Sequence, residues 1–346
     1  MKRFAPLPVL VAATFLLQSF PSSASTVAVG NCRRHLMSYH TISEAIAAVA
    51  AGSTVLVCPG VYPEEVTITT SLTLRGVVPT TSRTAAVITV PSGGLSGPQV
   101  LVMPSDITNP PVVNISNIVV DGTGSTNGTG IGYLASSGNL NGLEVRNQAF
   151  GIDFGANPLI SSLTVNLQNS YIHDFDNTGV TFGSGGQVSS FLNITKSIVK
   201  SNKATVLSGI LYDFVGGEIS ESVILLQTGI GLQLKTVFNA TTVQKNTITG
   251  ADTGITMGPP LATLVIADNN LFGNATGISA FGPVTINANL IGQSSATAID
   301  LNCFTNNTVS SNIIYGTPVG ITNVQSGDTI TSNKFINVGA DTVGCQ

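Results

Sequence analysis

The chain has 346 residues, of which only 9% are charged, and it carries 37 Gly and no Trp. Setting Lys2 and Arg3 aside from the 13 basic residues leaves 11 against 17 acidic ones, a net charge near −6 that does not attract nucleic acid or an anionic membrane surface. An apolar fraction of 42% excludes a disordered chain, and many β-branched residues with few charges imply an all-β protein with a neutral polar surface.

In chain order, the first element is an export signal. Lys2 and Arg3 precede an apolar segment from Pro8 to Leu17, and the small residues Ser22, Ser23 and Ala24 follow. That layout predicts a signal peptide over residues 1–24 and a secreted or periplasmic protein. No later apolar run reaches the ~20 residues needed to cross a bilayer, so no membrane insertion is expected. Arg33, Arg34 and His35 read as a solvated loop. Thr41 and Glu44 then have capping-box spacing, with Ile42, Ala45, Ile46 and Val49 on one helical face and Gly52 placed to end the helix. A short amphipathic helix is predicted there.

Four cysteines in an exported chain favour disulfides. Cys32 with Cys58 and Cys303 with Cys345 is the pairing their distribution favours, because each pair closes one end of the domain. No CxxC and no nearby His pair supports a metal site, and none is expected.

From about residue 117 the sequence repeats. With Ile248 as reference, equivalent positions fall at Val119, Leu143, Tyr171, Ile198, Val223, Leu271, Ile291, Ile313 and Phe335, spaced 20 to 28 residues apart. Two residues earlier stand Asn117, Asn141, Asn169, Lys196, Glu221, Asn246, Asn269, Asn289, Ser311 and Asn333, seven of the ten being Asn. A Gly before an aliphatic residue also recurs, at Gly130, Gly151, Gly179, Gly209, Gly229, Gly254, Gly277 and Gly320, with Ala298 as a substitute. Such a period signals a solenoid or an array. Gly, Thr and Val in place of Ala, Leu and Glu exclude helical repeats, so each unit reads as short strands separated by turns. Stacked coils would pile the reference residues into a core column and let the Asn side chains bond from coil to coil as a ladder.

This repeat resembles that of right-handed parallel β-helix proteins, the pectin lyase-like superfamily. The segment "TISEAIAAVAAGSTVLVCPGVYPEEVTITTSLTLRG", residues 41 to 76, resembles the start of such domains, where a short helix plugs the first coil. The resemblance implies one continuous domain: an N-terminal cap and first coil over 25–76 and β-helix repeats over 77–346. It does not bring a catalytic set with it. The chain has none of the adjacent aspartates, Gly-His-Gly or Arg-Ile-Lys of polygalacturonases. "GIDFGANP" is the nearest match to the methylesterase nucleophile setting, with Asp153 followed too soon by Gly155. The Asp-rich calcium sites and arginine segments of pectate lyases are missing as well.

Stacking also gathers the mid-chain charges. Arg146 is expected beside Asp174, His173 beside Lys200, and Gln148, Asp176 and Lys203 in one column. Two readings compete for this patch. Asp174, Asp176 and Lys203 could exchange protons while Arg146, Gln148, His173 and Lys200 hold a sugar, with calcium as the one cofactor left open. The alternative is a salt-bridge row on a solvated face. Tyr171, Phe175 and Phe182 are the candidate sugar-stacking aromatics, with Tyr171 assigned to the core. Six sequons begin at Asn114, Asn127, Asn193, Asn239, Asn274 and Asn306.

The resemblance therefore points to a polysaccharide-binding or polysaccharide-modifying protein, expected to be a monomer, whose status as an enzyme, lyase-like or hydrolase-like, stays open. A noncatalytic structural or adhesive solenoid is the alternative. A periplasmic accessory protein for metal-enzyme maturation fits less well, since Cys, His and Met are scarce after Gly60.

Overall fold

The computed structural model describes residues 23–78, 85–157, 159–160, 162–184 and 189–346. The expected signal peptide, apart from Ser23 and Ala24, lies outside the described residues.

Each coil is built from three short strands, as in Leu264–Ala267, Asn270–Phe272 and Thr276–Ala280. Among the described residues pairing between coils is parallel, with register shifts only where Ser208–Ser220 meets Ile230–Gln244 and Val319–Val324 meets Ala340–Gly344, so strands far apart in sequence become neighbours. We call sheet III the 12-stranded sheet that contains Tyr171–His173 and Asn270–Phe272. Sheet I contains Thr129–Leu134, Phe150–Ala156 and Thr178–Ser184; sheet II contains Ser137–Asn141, Ser162–Gln168 and Ser189–Thr195. Sheets I and II merge into one 24-stranded sheet, because the long strands Ser208–Ser220 and Ile230–Gln244 run through both. The chain is thus an all-β, right-handed parallel β-helix.

Helix α1 (Ile42–Ala48) closes the N-terminal end as its sequence predicts. Thr41 and Glu44 form the capping box, and Ile42, Ala45 and Ile46 are buried against the first coil. Glu64 adds a second clamp, accepting from the backbone N–H groups of Ile42 at 2.8 Å and Ser43 at 3.0 Å. Both expected disulfides are present, Cys32–Cys58 and Cys303–Cys345.

The core column of sheet III is Val120, Val145, Ile172, Val199, Ile224, Ile248, Leu271, Ile291, Ile314 and Phe335. Ile248, Leu271, Ile291 and Phe335 stand where the repeat placed them. Val119, Tyr171, Ile198, Val223 and Ile313 are one residue early, on the outward side of the strand, and Leu143, itself buried, is two residues early at the end of the turn.

The turn from sheet II to sheet III explains the slip. It is made by one residue in the left-handed conformation: Asn117, Gly142, Asn169, Lys196, Glu221, Lys245, Asp268, Ala288, Ser311 and Ser332 all have φ between 47° and 67°. The next residue points inward, and from Ser170 onward it forms the ladder, Ile118 and Leu143 being apolar there. Asn246 Nδ2 donates to Asn269 Oδ1 at 3.0 Å, and the same bond joins Asn269 to Asn289, Asn289 to Asn312 and Asn312 to Asn333. The ladder residue in its coil is thus Asn312, not Ser311. Each Oδ1 also takes the backbone N–H of the preceding ladder residue. In earlier coils Ser replaces Asn: Ser170, Ser197 and Ser222 accept backbone N–H groups from the preceding coil at 3.1 to 3.2 Å, and Ser222 N–H then meets Asn246. Asn117 and Asn169 are turn residues, the type that tolerates this conformation best, rather than ladder residues.

The recurring Gly sits where sheet I begins. A Cβ on Gly277 would lie 2.5 Å from the carbonyl oxygen of Ala298 and 2.7 Å from Ile291 Cγ2. The same steric limit applies at Gly231, which with Leu232 belongs in this column in place of Gly229 and Ile230.

Two predictions follow from these contacts. Asn246→Ala removes a buried donor pair and acceptor, so its unfolding midpoint should reflect a loss of about 1–3 kcal/mol, whereas exposed Asn141→Ala should stay within about 0.5 kcal/mol. Equal effects would remove the ladder assignment. Gly277→Ala should cost about 2 kcal/mol or more by overpacking, while Gly183→Ala, which would meet nothing within 4 Å, should be near neutral in the same melts.

Candidate functional site

The register assembles the mid-chain charges on the outer face of sheet III. Asp121, Arg146, His173 and Lys200 form one row across adjacent strands, so Arg146 lies beside His173 and not beside Asp174. Arg146 donates to Asp121 at 2.9 Å and to Glu144 at 2.5 Å. His173 Nε2 lies 3.3 Å from the same Glu144 carboxylate, and its Nδ1 lies 2.7 Å from Asp174. Tyr171 stacks on the His173 ring at 4.0 Å. Partial burial raises the Asp121 carboxyl, but bonds from Asn147, from Thr123 side chain and backbone, and from Arg146 outweigh it and hold the group at about 2. The result is a pre-ordered row of carboxylates, guanidinium and imidazole with a flat ring face beside it.

The turn from sheet III to sheet I holds the expected catalytic trio. Asp174 is itself a left-handed turn residue, with φ 56°. Asp174, Asp176 and Lys203 line one concavity of about 210 Å³ with Asn147, Thr123 and Ser125. Lys203 Nζ is 3.4 Å from Asp176 Oδ1, both side chains being half-exposed. An exposed pair of this kind contributes about 0–1 kcal/mol. Gln148 does not join them. It is 2% exposed and donates to Gln99 Oε1 at 2.8 Å inside the turn, because only its backbone carbonyl, which accepts from Asp176 N–H, reaches the next coil.

Sheet I presents a second surface that the repeat did not single out. Its inward residues alternate with an outward row in register: Leu101, Gly132, Asp153, Thr181, Leu211, Gln233, Thr256, Ser279, Asp300 and Thr322. Asp153 is therefore a strand residue on the outer face. Burial pushes its carboxyl above the ordinary value. A perturbed carboxyl on an accessible strand marks a functional candidate, and the alternation of "GIDF" within a strand was the signal that could have found it. Beneath it runs an aromatic column, Tyr133, Phe154, Phe182 and Tyr212, with ring centroids 5.9 to 6.3 Å apart. Phe175 and Phe182 are core residues, 0% and 2% exposed, and cannot stack on a sugar. Tyr171, assigned to the core from sequence, is the one that faces outward.

Among the described residues no group of three or more His, Cys, Asp or Glu could hold a metal ion. Among them, too, no helix is long and apolar enough to cross a membrane.

No family model matches the chain, and no curated protein matches it in sequence. Solved structures do match. The A-module of a mannuronan C-5 epimerase from Azotobacter vinelandii is 15% identical with a TM-score of 0.63, covering 87% of this chain and 92% of its own. The Dettilon tailspike protein is 14% identical with a TM-score of 0.60 over 85% of this chain and 64% of the tailspike. The catalytic unit of an α-1,3-glucanase from Streptomyces thermodiastaticus is 13% identical with a TM-score of 0.55 over 86% of this chain and 65% of that unit. At such identities the likeness is one of architecture, and with the coils, ladder and capping helix it establishes that this chain has the parallel β-helix fold.

Proposed function

We propose that this is an exported protein that binds or modifies an extended polysaccharide along the outer face of sheet I, with the turn around Asp174 as a flanking subsite. The observation that carries the reading is the outward row from Asp153 to Thr322. It offers two carboxyls, four hydroxyls, an amide and the Leu211 side chain at ~4.8 Å intervals, a spacing comparable with one sugar ring per coil. Two of the compared structures, the epimerase and the glucanase, are named for action on polysaccharides, which supports the same reading. The two disulfides support export.

Asp153 is assigned the proton transfer. A carboxyl raised by burial keeps its proton closer to neutrality than an ordinary Asp and can donate it to a glycosidic or ring oxygen. Arg146, His173, Lys200 and Tyr171 lie on the neighbouring face, where they can hold a chain that wraps around the turn. A second reading places the chemistry at Asp174, Asp176 and Lys203, because these three share one concavity. Calcium, if used, would sit between the two carboxylates there.

Incubation with a panel of plant and microbial polysaccharides, with and without calcium, tests this directly. Retention on a polymer, with or without release of new ends, is expected. Neither retention nor release across the panel would leave the noncatalytic structural role. Asp153→Asn should abolish release and spare retention. Loss of release in Asp176→Ala and Lys203→Ala, but not in Asp153→Asn, would move the chemistry to the turn.

Asp153 also predicts a pH dependence. Its folded-state pKa lies above the unfolded value of 3.8, so the folded chain binds the proton more tightly. Stability is then lost as pH rises from about 4 through the raised value. Asp153→Asn should match the wild type at pH 3 and melt higher at pH 7. A lower melting midpoint at pH 7 would remove the assignment of a penalised carboxylate.

A further inference from the structure

The outward row of sheet I is closed at one end. From Asp153 to Thr322 every outward residue is partly exposed, yet Gly132, which points the same way in the preceding coil, is buried. Pro98 lies on it: a Cβ at Gly132 would stand 2.7 Å from Pro98 Cγ and 3.4 Å from Leu101 Cδ1. Glycine is required here because another segment rests on the strand face. The open row is on the order of 30 Å long at ~4.8 Å per coil, and it begins abruptly at Asp153, the register partner of Gly132.

The cover is held in place. The Glu65 carboxylate accepts from Ser96 N–H, from Ser96 Oγ at 2.8 Å and from Gly97 N–H at 3.1 Å, fixing the segment that leads to Pro98. Across from it, Asp121 pins the turn after its own strand through Thr123 N–H at 3.0 Å and Asn147 at 3.0 Å. A cleft of about 420 Å³ lies between the two segments, lined by Gly94, Ser96, Pro98, Ser125, Asn127 and Thr129 among others. Its lining has no charged side chain. Pro98 belongs both to the cover and to the cleft, so the cleft adjoins the closed end of the row.

We infer that sheet I takes a neutral polysaccharide by its chain end, with the terminal sugar stopped by Pro98 beside Asp153 and the rest of the chain running toward Thr322. The neutral class follows from charge. The open row carries Asp153 and Asp300 and no Lys or Arg, and the uncharged cleft lining offers hydroxyls, an amide and backbone groups that match sugar hydroxyls. A polyuronate would meet two carboxylates with nothing to offset them. This inference rests on the polysaccharide reading above and adds direction and charge to it.

The test uses size-fractionated α-1,3-glucan and β-1,4-mannan, each as a series of chain lengths at equal mass, with mannuronan as the acidic comparator. Protein bound per gram of polymer is measured on the full chain. End capture predicts capacity in inverse proportion to chain length, halving when the length doubles, and weaker retention on mannuronan. Capacity independent of length would overturn end capture while leaving the polysaccharide reading intact. Preference for mannuronan would overturn the neutral class. Retention on none of the polymers would overturn the polysaccharide reading and this inference with it. Glu65→Ala, which frees the covering segment and touches no residue of the open row, should make capacity less dependent on chain length. Unchanged length dependence in a normally melting Glu65→Ala protein would overturn the role given to the cover.

Discussion

The rest of the structure depends on one corner: the turn between sheets II and III, where a single left-handed residue reverses the chain and the next residue hands a side-chain oxygen to the coil before it. A left-handed non-glycine residue costs roughly 1 kcal/mol or more. Here the position is filled in three coils by Lys245, Ala288 and Ser311, none of which prefers it. The offset comes from the neighbour. Each ladder Asn satisfies backbone and side-chain donors that would otherwise be buried without partners, a lapse that costs about 1–3 kcal/mol per group. The ladder therefore holds the corner, and the corner holds the register.

Register in turn decides what the surface can do. With one strand per face per coil, a shift of one residue would exchange every inward side chain for an outward one. Fixed register is what sets Arg146 beside His173 and Gly132 beside Asp153. It also explains how a chain with so few charges can concentrate them. Residues 25 to 30 positions apart become neighbours, so Asp121, Glu144, Arg146, His173 and Asp174 form one bonded network from three coils. The same stacking makes sheet I a ruler, with one outward group per coil.

The fold was legible because it is written in periods. The recurring Gly, the aliphatic column and the capping box each survive without knowledge of contacts, and the disulfides follow from the placement of four cysteines. The register of the first coils was not legible, because Asn does two jobs. In Asn246, Asn269 and Asn289 it is the ladder; in Asn117 and Asn169 it is the strained turn residue one position earlier. A column drawn through Asn therefore falls one residue early in the coils of Asn117 and Asn169, which conceals the serine ladder and turns Tyr171 inward. The charged patch was legible down to His173 beside Lys200 and Asp176 beside Lys203, whereas Arg146 pairs with His173 rather than Asp174 and the Gln148 side chain turns inward. The cover over Gly132 was out of reach for a different reason: strand faces, Asp153 among them, follow from alternation, but a loop lying across a strand leaves no periodic trace.

A solenoid whose coils contact only their neighbours has no unique centre, so its ends must be defined by something other than the repeat. At the N-terminal end the definition is helix α1 with Glu64 beneath it; toward the last coil it is Cys303–Cys345, which ties the final strand, Ala340–Gly344, to the turn after Thr297–Asp300. The last coil needs that tether, because Ile330, Phe335 and Val338 are only partly buried. The proposed polysaccharide surface faces the same problem. A row of outward groups repeated coil after coil would bind a polymer in any sliding register, since each position resembles the next. A stop would convert the ruler into a measured site, and the Pro98 segment, which covers the single coil of Gly132, is placed to supply one. The residue next to that stop is Asp153, whose carboxyl is raised by burial, so the interruption of the repeat and the perturbed group meet at one place.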